Sequence, residues 1–325
     1  MPKNFLSAAL AVLFAVTAQA DPLPSWQSGE TKSRIIEFVD AVTDPNSADF
    51  VPQKDRIATF DNDGNLWAEK PFYFQFLFAM DELAKRAEED PTILTSDVLK
   101  AAAAGDMKGA LSNGTEGLLE VVAASHSGIS ADEFESLARN WLEETTHPET
   151  GRPIIEHVYQ PMLELLSYLR DEGFRTFIVS GGGIHFIRAY AEDIYGIPPY
   201  QVVGTIGESA YQVIDGQPTI MKTPGIAFID DKEGKPIGID RSIGKRPIIA
   251  SGNSDGDFAM LEWTTAGDGP RLGILLHHTD ADREWAYDRD SPVGHLERGL
   301  DEGPGKGWLI VDMARDWSAV FPEPQ

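Results

Sequence analysis

Two aspartates one residue apart, Asp61 and Asp63, sit in the stretch Phe60-Asp61-Asn62-Asp63-Gly64-Asn65-Leu66-Trp67, directly after the apolar run Ile57-Ala58-Thr59. Carboxylates this close repel each other, so the pair needs a cation, a hydrogen-bond web or a shared proton. A bound Mg²⁺ would neutralise both and leave one oxygen free as a nucleophile. A calcium loop is excluded by spacing, because Leu66 and Phe72 stand where such a loop needs Gly and Glu. A plain solvated turn is the competing reading, since Asp, Asn and Gly are common turn residues.

Three further stretches could take part in the same chemistry. Val179-Ser180-Gly181-Gly182-Gly183 puts a hydroxyl and a glycine-rich turn before a predicted helix, where backbone N–H groups can meet an anion. A dinucleotide fingerprint fails there because Phe186 stands where Gly is required. Lys235, just before Pro236, could neutralise charge developing on an oxyanion, with Lys222 and Lys245 as rivals. Gly252-Asn253-Ser254-Asp255-Gly256-Asp257 is an oxygen-rich loop suited to Mg²⁺; Phe258 and Thr264 again break calcium spacing.

The elements that must position these residues alternate. Strands are expected at Arg56 to Phe60, Arg175 to Val179, Gln201 to Ile206, Pro247 to Ala250 and Leu272 to Leu276. Helices are expected at Val158 to Glu172, Ile184 to Tyr195, Pro236 to Ile243 and Asp257 to Trp263. Glu208 to Asp231 reads as a hairpin turning at Asp215-Gly216. Each of the first, second and fourth strands ends at a candidate stretch, the edge where α/β sheets hold their ligands. Between the first two strands the pattern is helical throughout, at Phe72 to Glu89, Ser96 to Ala104, Thr115 to Ala124 and Ala131 to Glu144. The expected architecture is α/β, a Rossmann-like parallel sheet over 21–66 and 150–325 with an all-helical cap over 67–149.

Composition bounds the partners. The 325 residues carry a formal charge of −25 and no cysteine, so disulfides, thiolate metal sites and a cysteine nucleophile are excluded. Such acidity disfavours nucleic acid and anionic membrane. In residues 1–20, Lys3, the apolar run from Phe5 to Val16 and Ala18-Gln19-Ala20 read as a secretory signal peptide, so export, to a periplasm, is expected. Residues 21 to 33 read as an N-terminal arm.

Taken together over residues 55 to 265, F-D-N-D-G-N, V-S-G-G-G, the loop lysine and G-N-S-D-G-D-F-A-M-L resemble the four motifs of the haloacid dehalogenase superfamily. Within it they are similar to the phosphoserine-phosphatase-like group with a helical cap, and the first and last motifs look like an exported bacterial branch. The resemblance implies a Mg²⁺-dependent phosphomonoesterase acting on a small phosphorylated metabolite through an aspartyl-phosphate. It implies Asp61 as nucleophile and Mg²⁺ ligand, and Asp63 as acid and base with its backbone carbonyl on the metal. Ser180, Gly181 and Gly182 would bind the phosphoryl group, Lys235 would neutralise it, and Asn253 and Asp257 would hold Mg²⁺. Asn65 replaces the family's usual Thr, and Asn253 its usual Asp, so Asp255 or Asp257 could be the anionic ligand instead.

For the substrate pocket, Glu69, Phe72, Tyr73 and Trp141 suggest an acidic, aromatic wall for a cationic leaving group, and Arg139 an anion clamp. The aromatics could equally form the cap's own core. His126, His147 and His157 lack metal-ligand spacing and are expected to be surface or structural. Dehalogenation has no need of the second acid, Asp63; a catalytically quiet phosphate- or metal-binding protein is the rival from another class.

Overall fold

The computed structural model describes residues 21–323; the leader expected over 1–20 lies outside the described residues. Seven strands form one sheet: β1 (Ile57–Phe60), β2 (Arg175–Gly183), β3 (Val202–Ile214), β4 (Gln217–Phe228), β5 (Ile249–Gly252), β6 (Leu272–His277) and β7 (Leu309–Asp312), in the order β4-β3-β2-β1-β5-β6-β7. All neighbours are parallel except β3 and β4. β1 and β5 are buried at every position, as a parallel sheet covered on both faces requires. The chain leaves β1 towards β2 on one side and later returns to β5 on the other. The C-terminal end of β1 is therefore the topological switch point, where a crevice opens between diverging connections.

Helices flank and roof this sheet. α1 (Glu30–Thr43) precedes it. α2 (Phe74–Glu89), α3 (Asp97–Ala103), α4 (Met107–Ala110), α5 (Thr115–His126) and α6 (Ala131–Glu144) fall between β1 and β2. α7 (Gln160–Asp171) leads into β2, and α8 (Ile184–Arg188) and α9 (Ala191–Tyr195) follow it; Tyr190 joins the core between this pair where one helix was expected. α10 (Gly234–Ser242), α11 (Phe258–Thr265), α12 (Arg298–Glu302) and α13 (Met313–Asp316) complete the chain.

The helical segment divides in its packing. α2 to α5 build a core of their own around Phe76, Met80, Leu83, Leu99 and Val121. Phe134, Ala138, Trp141 and Leu142 of α6 instead join the main core with Phe78, Phe186 and Ile187. Trp67 also belongs to the main core, stacked on Tyr190 at 4.6 Å and edge-on to Phe74 at 5.0 Å. The hairpin reaches the helical segment from the opposite side. Asp215 and Gly216 both take positive φ, the I′ geometry expected of an Asp-Gly turn. Lys222 N–H donates to the Ile129 carbonyl at 2.9 Å, and Gly128 N–H to the Lys222 carbonyl at 2.8 Å.

The N-terminal arm is stitched into the fold. Trp26 is 2% exposed, meets Trp317 edge-on at 5.7 Å, and its Nε1–H donates to the Pro161 carbonyl at 2.9 Å. Gln27 N–H donates to Asp316 and Ser318 N–H to Ser25, joining both ends of the described chain. Trp26→Ala should cost about 3–5 kcal/mol, measured as a lowered midpoint in chemical denaturation. A loss below about 1 kcal/mol would mean that the arm lies outside the cooperative unit.

Candidate active site

At the end of β1 the backbone stops being sheet and becomes a tight loop. Asp61 N–H still donates to Ser251 of β5, while the Asn62 carbonyl collects N–H groups from Asn65, Leu66 and Trp67. Gly64 has φ +74°, and a Cβ there would fall 2.1 Å from Asn253 Nδ2, so the loop needs glycine for both conformation and space. Asn65, where the family resemblance would place Thr, braces the same loop. Its Nδ2 donates to the Asp61 carbonyl at 3.0 Å and its Oδ1 accepts from Ser251 Oγ at 2.7 Å.

Lys235 lies against this loop, 2% exposed, with Nζ 2.7 Å from Asp61 Oδ1, 2.5 Å from Asp257 Oδ1 and 3.0 Å from the Val179 carbonyl. Burial works to lower the ammonium's pKa, but the Asp257 and Asp61 carboxylates hold it above its ordinary value. Burial raises Asp61, Asp257 adds to the rise, and Lys235 opposes it. Of the rival lysines, Lys245 pairs with Asp55 at the surface. Lys222 lines the cavity described below, beside His185.

Asp63 is held differently. Its Oδ1 accepts Trp67 Nε1–H at 2.7 Å and lies 3.4 Å from Asn62 Nδ2, which also donates to Tyr190 Oη at 3.0 Å. Burial pushes the Asp63 carboxyl up to about 6, with Trp67, Lys235 and Asn62 pulling it down. A proton on this group therefore sits on Oδ2, because Oδ1 is committed as an acceptor.

The glycine turn after β2 departs from expectation. The strand runs on to Gly183 with a register shift between Ser180 and Gly183, and α8 is a short helix. Gly182 N–H, expected to face a phosphoryl oxygen, donates instead to Ser180 Oγ at 3.1 Å, and Gly183 N–H to Gln75 Oε1 at 2.6 Å. With Oγ accepting from Gly182, the Ser180 hydroxyl proton points elsewhere and remains available to an anion.

The last loop sorts its own candidates. Asp255 accepts from Glu297, Arg298 and Gly299 N–H at the start of α12, which removes it as a metal ligand. Asp257 Oδ1 receives Lys235, and its Oδ2 accepts Asn253 N–H and Ser254 N–H at 3.0 Å, so this carboxylate anchors the lysine and the loop rather than offering a free oxygen. Asn253 Nδ2 donates to Glu69 Oε1 at 2.9 Å, whereas its buried Oδ1 has no hydrogen-bond partner.

Glu69 belongs to a layer beneath the loop. Tyr287 Oη donates to it at 2.8 Å, and burial pushes its carboxyl up to about 7. Nearby, His278 Nε2 faces the Gly64 carbonyl at 2.9 Å and Nδ1 faces Glu284 at 3.1 Å. Two acceptors demand two protons, so the imidazole is charged. Burial opposes this, yet Glu284 and Glu69 raise its pKa.

A cavity of about 290 Å³ opens over Asp61, Asp63, Ser180 and Lys235, roofed by α5 and α6 and bounded by β4. Tyr73 and Glu69 line it. Phe72 does not; its ring packs on Tyr73 and Phe76. Arg139 is no anion clamp either, since it pairs with Asp193 at 2.5 Å near the surface. Trp141 is turned into the core, with Nε1–H donating to Asp81. His147 and His157 stack on each other at 4.4 Å in a structural aromatic cluster. His126 lines the cavity, as do Gln75, His185 and Lys222. In sequence Lys222 stands only as a rival to Lys235 and His126 reads as surface or structural, while Gln75 and His185 carry no site role beyond the adjacency of His185 to the glycine turn.

Two carboxyls, a buried lysine and an oxygen-rich loop thus meet at adjacent strands of an α/β sheet. The model of the haloacid dehalogenase-like hydrolases matches residues 58–262, and the chain belongs to that family. A conserved functionally unknown protein from Anaerococcus prevotii DSM 20548 superposes with a TM-score of 0.50 at 16% identity, covering 77% of this chain and 86% of that one. A protein with unknown function from Bordetella pertussis Tohama I gives 0.46 at 17% identity, covering 79% and 98%. A phosphoserine phosphohydrolase-like protein from Francisella tularensis gives 0.39 at 16%, covering 77% and 98%. The first shares the fold; the looser two add nothing to that. No match was found among curated protein sequences.

Removing the lysine tests the triad. Lys235→Met leaves two buried carboxylates without their counter-charge and should cost about 3–5 kcal/mol in urea denaturation at neutral pH. Lys245→Met, at an exposed pair, should leave the midpoint unchanged.

Proposed function

We propose that the protein is an exported Mg²⁺-dependent phosphomonoesterase, with helices α2 to α5 capping its site. The observation that carries this reading is Lys235 bridging Asp61 and Asp257 at the end of β1. The bridge sets a cation against the buried Asp61, whose carboxyl burial and Asp257 push up, beside a second carboxyl, Asp63, that burial pushes up to about 6.

The donor set fits a magnesium ion. With both carboxyls ionised, Asp61, Asp257 and Lys235 would sum to one negative charge, so a dianionic ester would need a further cation. Among the described residues no cluster of three His, Asp or Glu side chains gathers for a metal. The ligands would be the Asp61 carboxylate, the Asp63 backbone carbonyl and Asn253 Oδ1, whose buried lone pairs are otherwise unmet. When bound, the ion would neutralise phosphoryl oxygens.

The chain's own residues do the rest. An Asp61 oxygen attacks phosphorus in line, and the bond from phosphorus to the ester oxygen breaks. Asp63 gives its Oδ2 proton to the departing alcohol. Asp63 then takes a proton from water as that water attacks phosphorus, which releases phosphate and restores Asp61. Lys235 and the Ser180 hydroxyl stabilise the equatorial oxygens.

Phosphate release from p-nitrophenyl phosphate and a panel of alkyl esters should require Mg²⁺ and stop with EDTA. Asp61→Asn should retain the fold and lose turnover. Metal binding without turnover on any ester would favour a phosphate- or metal-binding protein instead.

Trp67→Phe keeps an aromatic, smaller ring in the core and removes the donor that orients Asp63. Alkyl esters, whose leaving groups need the proton, should lose roughly ten-fold or more in kcat, and nitrophenyl esters clearly less. Equal losses on both would mean that Trp67 acts only through packing.

A further inference from the structure

The cavity is larger than a phosphoryl group needs, and its far end holds a charge that the chemistry above does not use. Lys222, on β4, is 8% exposed. Its Nζ lies 4.4 Å over the Phe134 ring and 3.4 Å from His185 Nδ1. It makes no ion pair with a carboxylate among the described residues. Glu135 acts on it only at a distance, and Glu208 lines the same cavity without pairing with it.

A buried ammonium whose neighbours are a ring and an imidazole is under-compensated. Burial accordingly draws Lys222 down to about 8 and His185 to about 4. The imidazole is thus neutral at pH 7, with Nδ1 accepting from the lysine and the proton on Nε2. The main chain of Lys222 is pinned on both sides to residues 128–129, so the ammonium is presented from a fixed backbone. The same cavity is lined by apolar Leu118 and Val122 from α5 and Ile226 from β4, with His126 and Glu208 among its polar members.

We propose that Lys222, backed by His185, determines specificity by receiving a single negative charge, a carboxylate, at the remote end of an apolar leaving group. Of the two Lys or Arg side chains lining the cavity, Lys235 is taken by Asp61 and Asp257, so Lys222 matches one charge and not a second phosphate. This departs from the cationic leaving group that Glu69 and the aromatics suggested, because Glu69 is already held by Asn253 and Tyr287. The inference rests on the phosphomonoesterase reading.

A matched pair of esters tests it: 4-(carboxymethyl)phenyl phosphate and its primary amide, equal in shape and different in charge. The wild-type protein should favour the carboxylate at least ten-fold in kcat/KM. Lys222→Met should abolish that preference, whatever its absolute rates, and Lys222→Arg should restore part of it. The wild-type ratio needs no variant, so a misfolded Lys222→Met would not protect the idea. A wild-type ratio near one, or one that Lys222→Met leaves unchanged, overturns the subsite while phosphate release upholds the reaction class. Release from no ester, p-nitrophenyl phosphate included, overturns both.

Discussion

Everything at the catalytic end of the sheet depends on one buried ammonium. Lys235 stands between Asp61 on the first loop and Asp257 on the last, and also donates to Val179 on β2. Segments from three neighbouring strands are thereby tied to one nitrogen. Burial pushes the Asp61 carboxyl up, and the ammonium beside it opposes that rise. Such a buried set adds little net stability over an apolar equivalent, and losing one member is costly. Its value lies in keeping a weakly hydrated carboxyl oxygen at a fixed place beside a cation.

Around that centre the polar groups are backed by rigid packing. Trp67 does two things at once: its ring fills the core against Tyr190 and Phe74, and its N–H aims Asp63. Tyr190 reaches the same loop through Asn62. Below, the charged His278 holds the Gly64 carbonyl and is itself held by Glu284, which also accepts Tyr159 Oη at 2.6 Å. Loop position is therefore set by side chains already locked in the core, the condition for donors and acceptors to be in place before a ligand arrives.

The far side of the cavity is built from parts distant in sequence. The hairpin of β3 and β4 pairs with residues 128–130 beyond α5, so sheet edge and roof become one wall. Gln75 ties α2 to the glycine turn through Gly183. These cross-links limit how far the roof can move without breaking backbone hydrogen bonds, and they put Lys222 and His185 within reach of each other.

Residue order alone determined the alternation of strands and helices, the Asp215-Gly216 hairpin and the family, because periodicity, turn chemistry and the Asp61, Ser180, Lys235 and Asp257 stretches are local. The same local information misjudged details that depend on partners. It ran one helix through Tyr190, read residues 21 to 33 as an arm without the start of α1 at Glu30, and assigned Gly182 N–H to an anion when Ser180 Oγ takes it. It also left Lys235, Lys222 and Lys245 as rivals, and Asn253, Asp255 and Asp257 likewise. Folding separated them by distance: Lys235 reaches Asp61, Asp255 caps α12, Asp257 holds Lys235, and Asn253 keeps a free buried oxygen. A lysine or a carboxylate looks the same in sequence wherever it points. Its charge state and task come from the dielectric and the partners that the tertiary structure brings within a few ångströms, and no spacing along the chain encodes those.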